Sequence, residues 1–212
     1  GLDIGTSSIK FMEIEGDSIE NAKLIHYAVE PIPKSLMNRE NNIEEIKALS
    51  DIIKRCWKKS GSNNKNVVLA LSANSTIYKK TLISDFDSEE AVKMQVDDEI
   101  VKYFPTGMAL DDVAIDYYTL GVNPQSPTDN DTLLVAGKKD KIDELLAVVE
   151  SAGLIPTILD VDIYAIQNLL RLLKGDDFLT HNYIFLDCGG SVLRMIAFKN
   201  AEVIFTREIE IG

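Results

Sequence analysis

The sequence predicts an α/β protein in which two similar strand triplets, one near each end of the chain, flank a separate β-α-β-β-α unit. Three observations predict it. Short β-rich runs alternate with segments whose apolar residues recur every three or four positions, the periods of strand and helix. The strand triplet comes twice, each time beside a helix and each time with a Gly/Ser-rich bend between its first two strands, at residues 5–8 and 189–191. The 212 residues are 45% hydrophobic and 26% charged, the composition of an ordinary globular protein of one or two domains.

In chain order, residues 2–4, 9–15 and 23–29 are β-rich, with Gly16-Asp17 as the turn between the second and third. Residues 41–59 form a helix: Ile46, Leu49, Ile53 and Cys56 share one face, Trp57 widens it, and Gly61 follows as a stop signal. The apolar run 66–71, with Val67-Val68, reads as a buried strand. A strand at 76–83 precedes a helix whose start is a capping-box-like Asp87 with Glu90 three residues on. Val92, Val96, Ile100 and Tyr103 line one face of that helix, and Pro105 ends it. Residues 113–120 alternate as a strand, 121–130 read as a Pro/Asn/Ser loop, and 132–136 as another strand. The helix at 141–152 points Ile142, Leu145, Leu146 and Val149 inward and is capped by Gly153. A strand at 157–161 and a helix at 163–174, stopped by Gly175, lead to strands at 183–187, 193–198 and 202–209, with Lys199-Asn200 turning the last pair.

The charge balance narrows the partners. The formal charge is −12, which argues against a nucleic acid, because phosphate backbones are bound through Lys and Arg. The acids are unevenly placed: between Asp85 and Tyr118 there are ten of them and two bases. Such a stretch is either a solvated face or a surface that attracts a basic partner. No apolar run approaches the roughly 18 residues that cross a bilayer. The two cysteines, Cys56 and Cys188, are too far apart in sequence to form a metal-ligand motif and too few for a disulfide framework, which fits a reducing compartment.

The chemistry sits in the two bends. The first is Asp3-Ile4-Gly5-Thr6-Ser7-Ser8-Ile9-Lys10, the second Asp187-Cys188-Gly189-Gly190-Ser191. Glycine lets backbone N–H groups approach and converge on an anion, and Ser or Thr hydroxyls donate more hydrogen bonds. The aspartate repels a phosphate directly, so its useful role is to hold a hydrated Mg²⁺ between them. One such bend reads as an ordinary hairpin turn; two, each opening a triplet, favour a phosphate site over a pair of ordinary turns.

The paired bends resemble the phosphate loops of the actin-like ATPase superfamily, in which two RNase-H-like halves clamp a nucleotide. The middle unit, Glu99-Ile100-Val101-Lys102-Tyr103-Phe104-Pro105 followed by Asp111-Asp112-Val113-Ala114-Ile115-Asp116-Tyr117, resembles the inserted subdomain of the PilM family of type IV pilus assembly, an FtsA-like branch. Ser151-Ala152-Gly153-Leu154-Ile155-Pro156 and the closing Phe205-Thr206-Arg207-Glu208-Ile209-Glu210-Ile211-Gly212 are similar to that family as well. The resemblance implies an actin-like fold with residues 1–77 and 154–180 as subdomain 1A, 78–153 as an inserted FtsA-type subdomain 1C, and 181–212 as the start of subdomain 2A. It also implies a piece of a longer chain, consistent with an opening that enters a strand part-way, and one that by itself does not enclose a nucleotide.

Functionally the resemblance implies a cytoplasmic scaffold at the inner face of the cell membrane. It would hold the N-terminal tail of the inner-membrane protein PilN in a groove between 1A and 1C, touch other platform proteins and self-associate into a ring. In the intact protein, ATP would lie against Asp3, Gly5, Thr6, Ser7, Ser8, Lys10, Asp187, Gly189, Gly190 and Ser191, with Mg²⁺ held through water by Asp3 and Asp187. The second bend departs from the pattern, since Val192 and Leu193 follow where relatives often have more hydroxyls. No carboxylate or Gln is identifiable as the group that positions an attacking water, so ATP binding is expected and hydrolysis is not assigned. The alternative is an FtsA-like division protein that tethers filaments to the membrane. A small-molecule kinase of the superfamily needs an Asp base that no motif here supplies.

The remaining candidates read as structural. His26 and His181 have no Ser, Cys or metal-spaced partner, Trp57 covers the core, and Cys188 is a small buried residue at a strand end. Tyr117-Tyr118 places one ring inward and one outward.

Overall fold

The computed structural model describes residues 1–16, 21–36, 43–84 and 88–210. Asp17, the start of the first helix at Asn41, Asp87 and the closing Ile211-Gly212 lie outside them. The chain divides into two compact units, Gly1–Ala70 with Leu145–Gly212, and Leu71–Glu144.

The first unit holds both triplets. Strands β1 (Leu2–Ile4), β2 (Ser8–Glu15) and β3 (Lys23–Pro31) form an antiparallel meander in the order β1-β2-β3. Period-2 alternation turns Ile9, Phe11 and Ala28 inward. Helix α1 (Ile43–Ser60) packs Leu49, Ile52, Ile53 and Cys56 onto that face. Strands β4 (Asn66–Leu71) and β8 (Ile155–Val161) pair with one another. The run at β4 is half-buried rather than buried: Val67 and Leu69 face the core while Val68 is 40% exposed. Its Val-Val pair straddles the pleat, so one of the two must point away. The end of helix α3 (Lys139–Ser151) adds Val148 and Val149 to the same core.

The second triplet, β9 (Asn182–Cys188), β10 (Val192–Lys199) and β11 (Glu202–Glu210), is again antiparallel, with β10 in the middle. It is reached through helix α4 (Asp162–Lys174), which Gly175 stops at φ +54°, and a short helix α5 (Asp176–Thr180) that periodicity did not announce. Helix α5 exists to bury Phe178, whose ring meets Phe198 and Tyr183 edge-on at 5.3 and 5.6 Å. The last turn falls on Asn200 and Ala201, both at positive φ, one residue later than Lys199-Asn200.

The second unit is a three-stranded antiparallel sheet, β5 (Thr76–Ser84), β6 (Val113–Asn123) and β7 (Ser126–Lys138), ordered β5-β7-β6, with helix α2 (Glu89–Ile100) on one face. Ser88 caps α2, its Oγ accepting from the Ala91 N–H at 3.1 Å. Residues 121–130 are not a loop: β6 and β7 run on into a long hairpin. Asn123 Oδ1 accepts from the N–H groups of Gln125 and Ser126, a turn so short that the polar residues after it stay in the ladder. Pro127 fits because the β6–β7 register skips from Asn123↔Ser126 to Val122↔Asn130.

Candidate functional site

The two bends are built alike. Gly5 N–H donates to the Ser8 carbonyl at 3.1 Å, and Gly189 N–H donates to the Val192 carbonyl at 2.9 Å. In register, Asp3 stands opposite Lys10 and Asp187 opposite Arg194. The glycines are needed for closeness and not for a left-handed backbone, since none of Gly5, Gly189 and Gly190 has positive φ. A Cβ on Gly5 would lie 3.1 Å from the Ser8 oxygen, and one on Gly189 would lie 2.9 Å from the Val192 oxygen.

The fold brings the bends together. A Cβ on Gly190 would lie 2.5 Å from the Ser7 Cβ and 3.1 Å from Thr6 Oγ1. Only a residue without a side chain lets the second bend seat there. The Ser7 carbonyl accepts from Ile32 N–H at 2.9 Å, which ties the first bend to the end of β3. Lys10 Nζ lies 2.7 Å from Asp3 Oδ2, and that exposed ammonium stands beside Gly5. Hydroxyls from Thr6 and Ser7 and a cation at Lys10 are donors suited to phosphate oxygens. Ser8 opens β2 opposite Pro31, and Ser191 precedes β10.

The two aspartates differ. Asp3 is paired with Lys10, whereas Asp187 has no ion-pair partner among the described residues. Its cross-strand neighbour Arg194 turns to Asp162 at the start of α4 and to Glu208 on β11, the latter at 2.5 Å. Burial opposes the charge on this guanidinium, but Asp162 and Glu208 outweigh it and raise its pKa. This cluster was not singled out from sequence. Its one signal is spacing: Arg194 follows Asp187 as Lys10 follows Asp3. No three His, Cys, Asp or Glu side chains converge on a point among the described residues, so a cation here would meet isolated carboxylates and water.

Other sequence candidates fall outside the site. His26 Nδ1 meets the Ser60 carbonyl at 3.0 Å, and His181 pairs with Asp177 at 2.8 Å. Trp57 Nε1–H donates to the Asn64 carbonyl, and the ring packs on the first core. Cys188 is exposed, not buried, because strand β9 is open to solvent where it enters the bend.

The protein-family model described as "Type IV pilus assembly protein PilM" matches residues 1–212. The chain belongs to the PilM family. A solved structure described as "PilM-PilN type IV pilus biogenesis complex" superposes with a TM-score of 0.79 at 23% identity, covering 99% of this chain and 60% of that one. This PilM-family chain therefore spans 60% of the length of the PilM chain it matches, and shares its fold. Membership gives it the α/β, actin-like fold class. A Bacteroides thetaiotaomicron protein described as having an actin-like ATPase fold and unknown function superposes less well, with a TM-score of 0.48 at 12% identity over 99% of this chain and 68% of that one. Among the described residues, no helix of this PilM-family chain is long and apolar enough to cross a membrane.

Proposed function

We propose that this chain is the scaffold part of a cytoplasmic pilus-assembly protein that holds the N-terminal tail of a PilN-type inner-membrane protein and, as the whole protein, binds ATP with Mg²⁺ at the paired bends. The family match over residues 1–212 carries the reading. The similar PilM was solved as a complex with PilN, which supports a partner of that kind. The acidic stretch between Asp85 and Tyr118 suits a basic tail, drawing it by charge before apolar side chains are buried.

At the bends, the Lys10 ammonium, the Thr6, Ser7, Ser8 and Ser191 hydroxyls and the Gly190 backbone would hold phosphate oxygens, with Gly5 and Gly189 closing the bends that present them. Asp3 and Asp187 would hold a hydrated Mg²⁺, which offsets phosphate charge when bound. The reading is tested by titrating the full-length protein with a synthetic PilN-type N-terminal peptide. Saturable one-to-one binding supports it; no binding of the peptide under any nucleotide condition contradicts it.

A further inference from the structure

The two bends rest on rungs of different composition. In the first triplet Asp3 stands opposite Lys10, and Lys10 opposite Val29 on β3. In the second, Asp187 stands opposite Arg194, and Arg194 opposite Glu208 on β11. Residues directly opposite one another in an antiparallel sheet share a face and lie within side-chain reach. Lys10 therefore has one carboxylate on its rung and takes it, at 2.7 Å. Arg194 has one on either side.

A third carboxylate decides between them. Helix α4 meets this triplet at two places: Gln167 Nε2 donates to the Ala201 carbonyl at 2.5 Å, and Asp162 in the first turn pairs with the Arg194 guanidinium. The side chains of Arg194, Glu208 and Asp162 are 14, 17 and 23% exposed, whereas Asp187 is an exposed residue. A carboxylate withdrawn from water needs a cationic partner more than a solvated one does. The planar guanidinium forks to Glu208 through Nε and to Asp162 through Nη1. Asp187 is left with no ion-pair partner among the described residues.

We propose that Asp162 is a positioning residue of the second bend: with Glu208 it holds Arg194 off Asp187, which keeps that carboxylate unpaired for hydrated Mg²⁺ while Asp3 is engaged by Lys10. The inference rests on the nucleotide reading above and adds which of the two aspartates takes the cation and what keeps it available. It also ties the second bend to α4, because the first turn of that helix carries Asp162.

The test is calorimetric titration of the full-length protein with ATP, with and without Mg²⁺. In Asp162→Ala the freed arm of Arg194 turns to Asp187. Binding of ATP with Mg²⁺ should then weaken roughly tenfold, the effect of losing one charge-assisted contact. Binding without Mg²⁺ should change by about twofold or less. Adding Arg194→Met removes the competing cation and should restore the lost affinity to within about threefold of the parent. A pair that only braced the fold would give no such recovery, since the second substitution would add to the damage of the first. Parent-like binding of ATP with Mg²⁺ by Asp162→Ala, or a folded double variant no better than the single one, would overturn the inference.

A crystal structure of full-length Asp162→Ala needs neither nucleotide nor the double variant. The guanidinium should lie within hydrogen-bond distance of an Asp187 carboxylate oxygen; a guanidinium that stays on Glu208 alone would overturn the inference whatever ATP does. A parent that binds no ATP, while Arg194 turns to Asp187 in Asp162→Ala, would sink the nucleotide reading and uphold the choice made at Arg194.

Discussion

Two residues apart on the second bend, Cys188 and Gly190 owe their roles to opposite surroundings. Gly190 is held against Ser7 and Thr6, while Cys188 faces solvent. Cys56 is fully buried against the Ile9 and Ala28 carbonyls. One thiol per chain should therefore react with a colorimetric thiol reagent in buffer and two in denaturant; Cys188→Ser should abolish the native signal. Burial, reinforced by Glu30, pushes the Cys56 thiol up. The unfolded chain then releases this proton first, so the stability the thiol contributes is complete below the ordinary thiol range and is lost as pH rises through the folded value. The urea midpoint should fall from about pH 8 to pH 10 more steeply in the parent than in Cys56→Ala. Arg194 is the other decisive residue, because it holds two carboxylates on different elements. Arg194→Met should cost about 2 kcal/mol by urea denaturation, less than the 3–5 of a fully buried pair, since Asp162 and Glu208 keep some solvent. Arg194→Lys should not recover it, because an ammonium cannot fork between two acceptors.

Among the elements, the helix ends are the simplest to test. Gly153 closes α3 at φ +81° with open space around it, so Gly153→Ala pays only for the backbone, about 1 kcal/mol. Ser88→Ala loses one cap bond, also about 1 kcal/mol. Thermal unfolding of the two variants measures both. These same positions show how far local chemistry is legible. Gly153 and Gly175 end helices as their places after apolar periods imply, because one residue carries the signal. The β6–β7 hairpin was hidden because its Asn, Ser and Asp side chains look like loop chemistry, and only pairing reveals that they satisfy one another: Asn123 with Asp131, and Ser126 with Asp129. Helix α5 was hidden for a different reason, since five residues are too few to show a period. The bends were legible as sequence. Their convergence is what the family resemblance implies; the seating of Gly190 against Ser7 was not legible, because it joins residues more than 180 positions apart by the packing of two triplets.

For the whole molecule, charge and fold carry separate parts of the proposal. The fold class and the family follow from the order of elements and two repeated bends, while the proposed attraction of a basic tail rests on the acid excess between Asp85 and Tyr118. Affinity of the full-length protein for a basic tail peptide should fall as salt rises from about 20 to 150 mM, because the Debye length shrinks to roughly 8 Å. Indifference to salt over that interval would remove the electrostatic part of the account. The reading as a nucleotide-binding scaffold turns on the two bends sharing one anion. The most direct measurement is calorimetric titration of the full-length protein with ATP and Mg²⁺, compared with Gly190→Val, which must push Ser7 away. A single site that is lost in Gly190→Val while tail binding persists is the predicted result; ATP bound equally well by both proteins, or by neither, would contradict it.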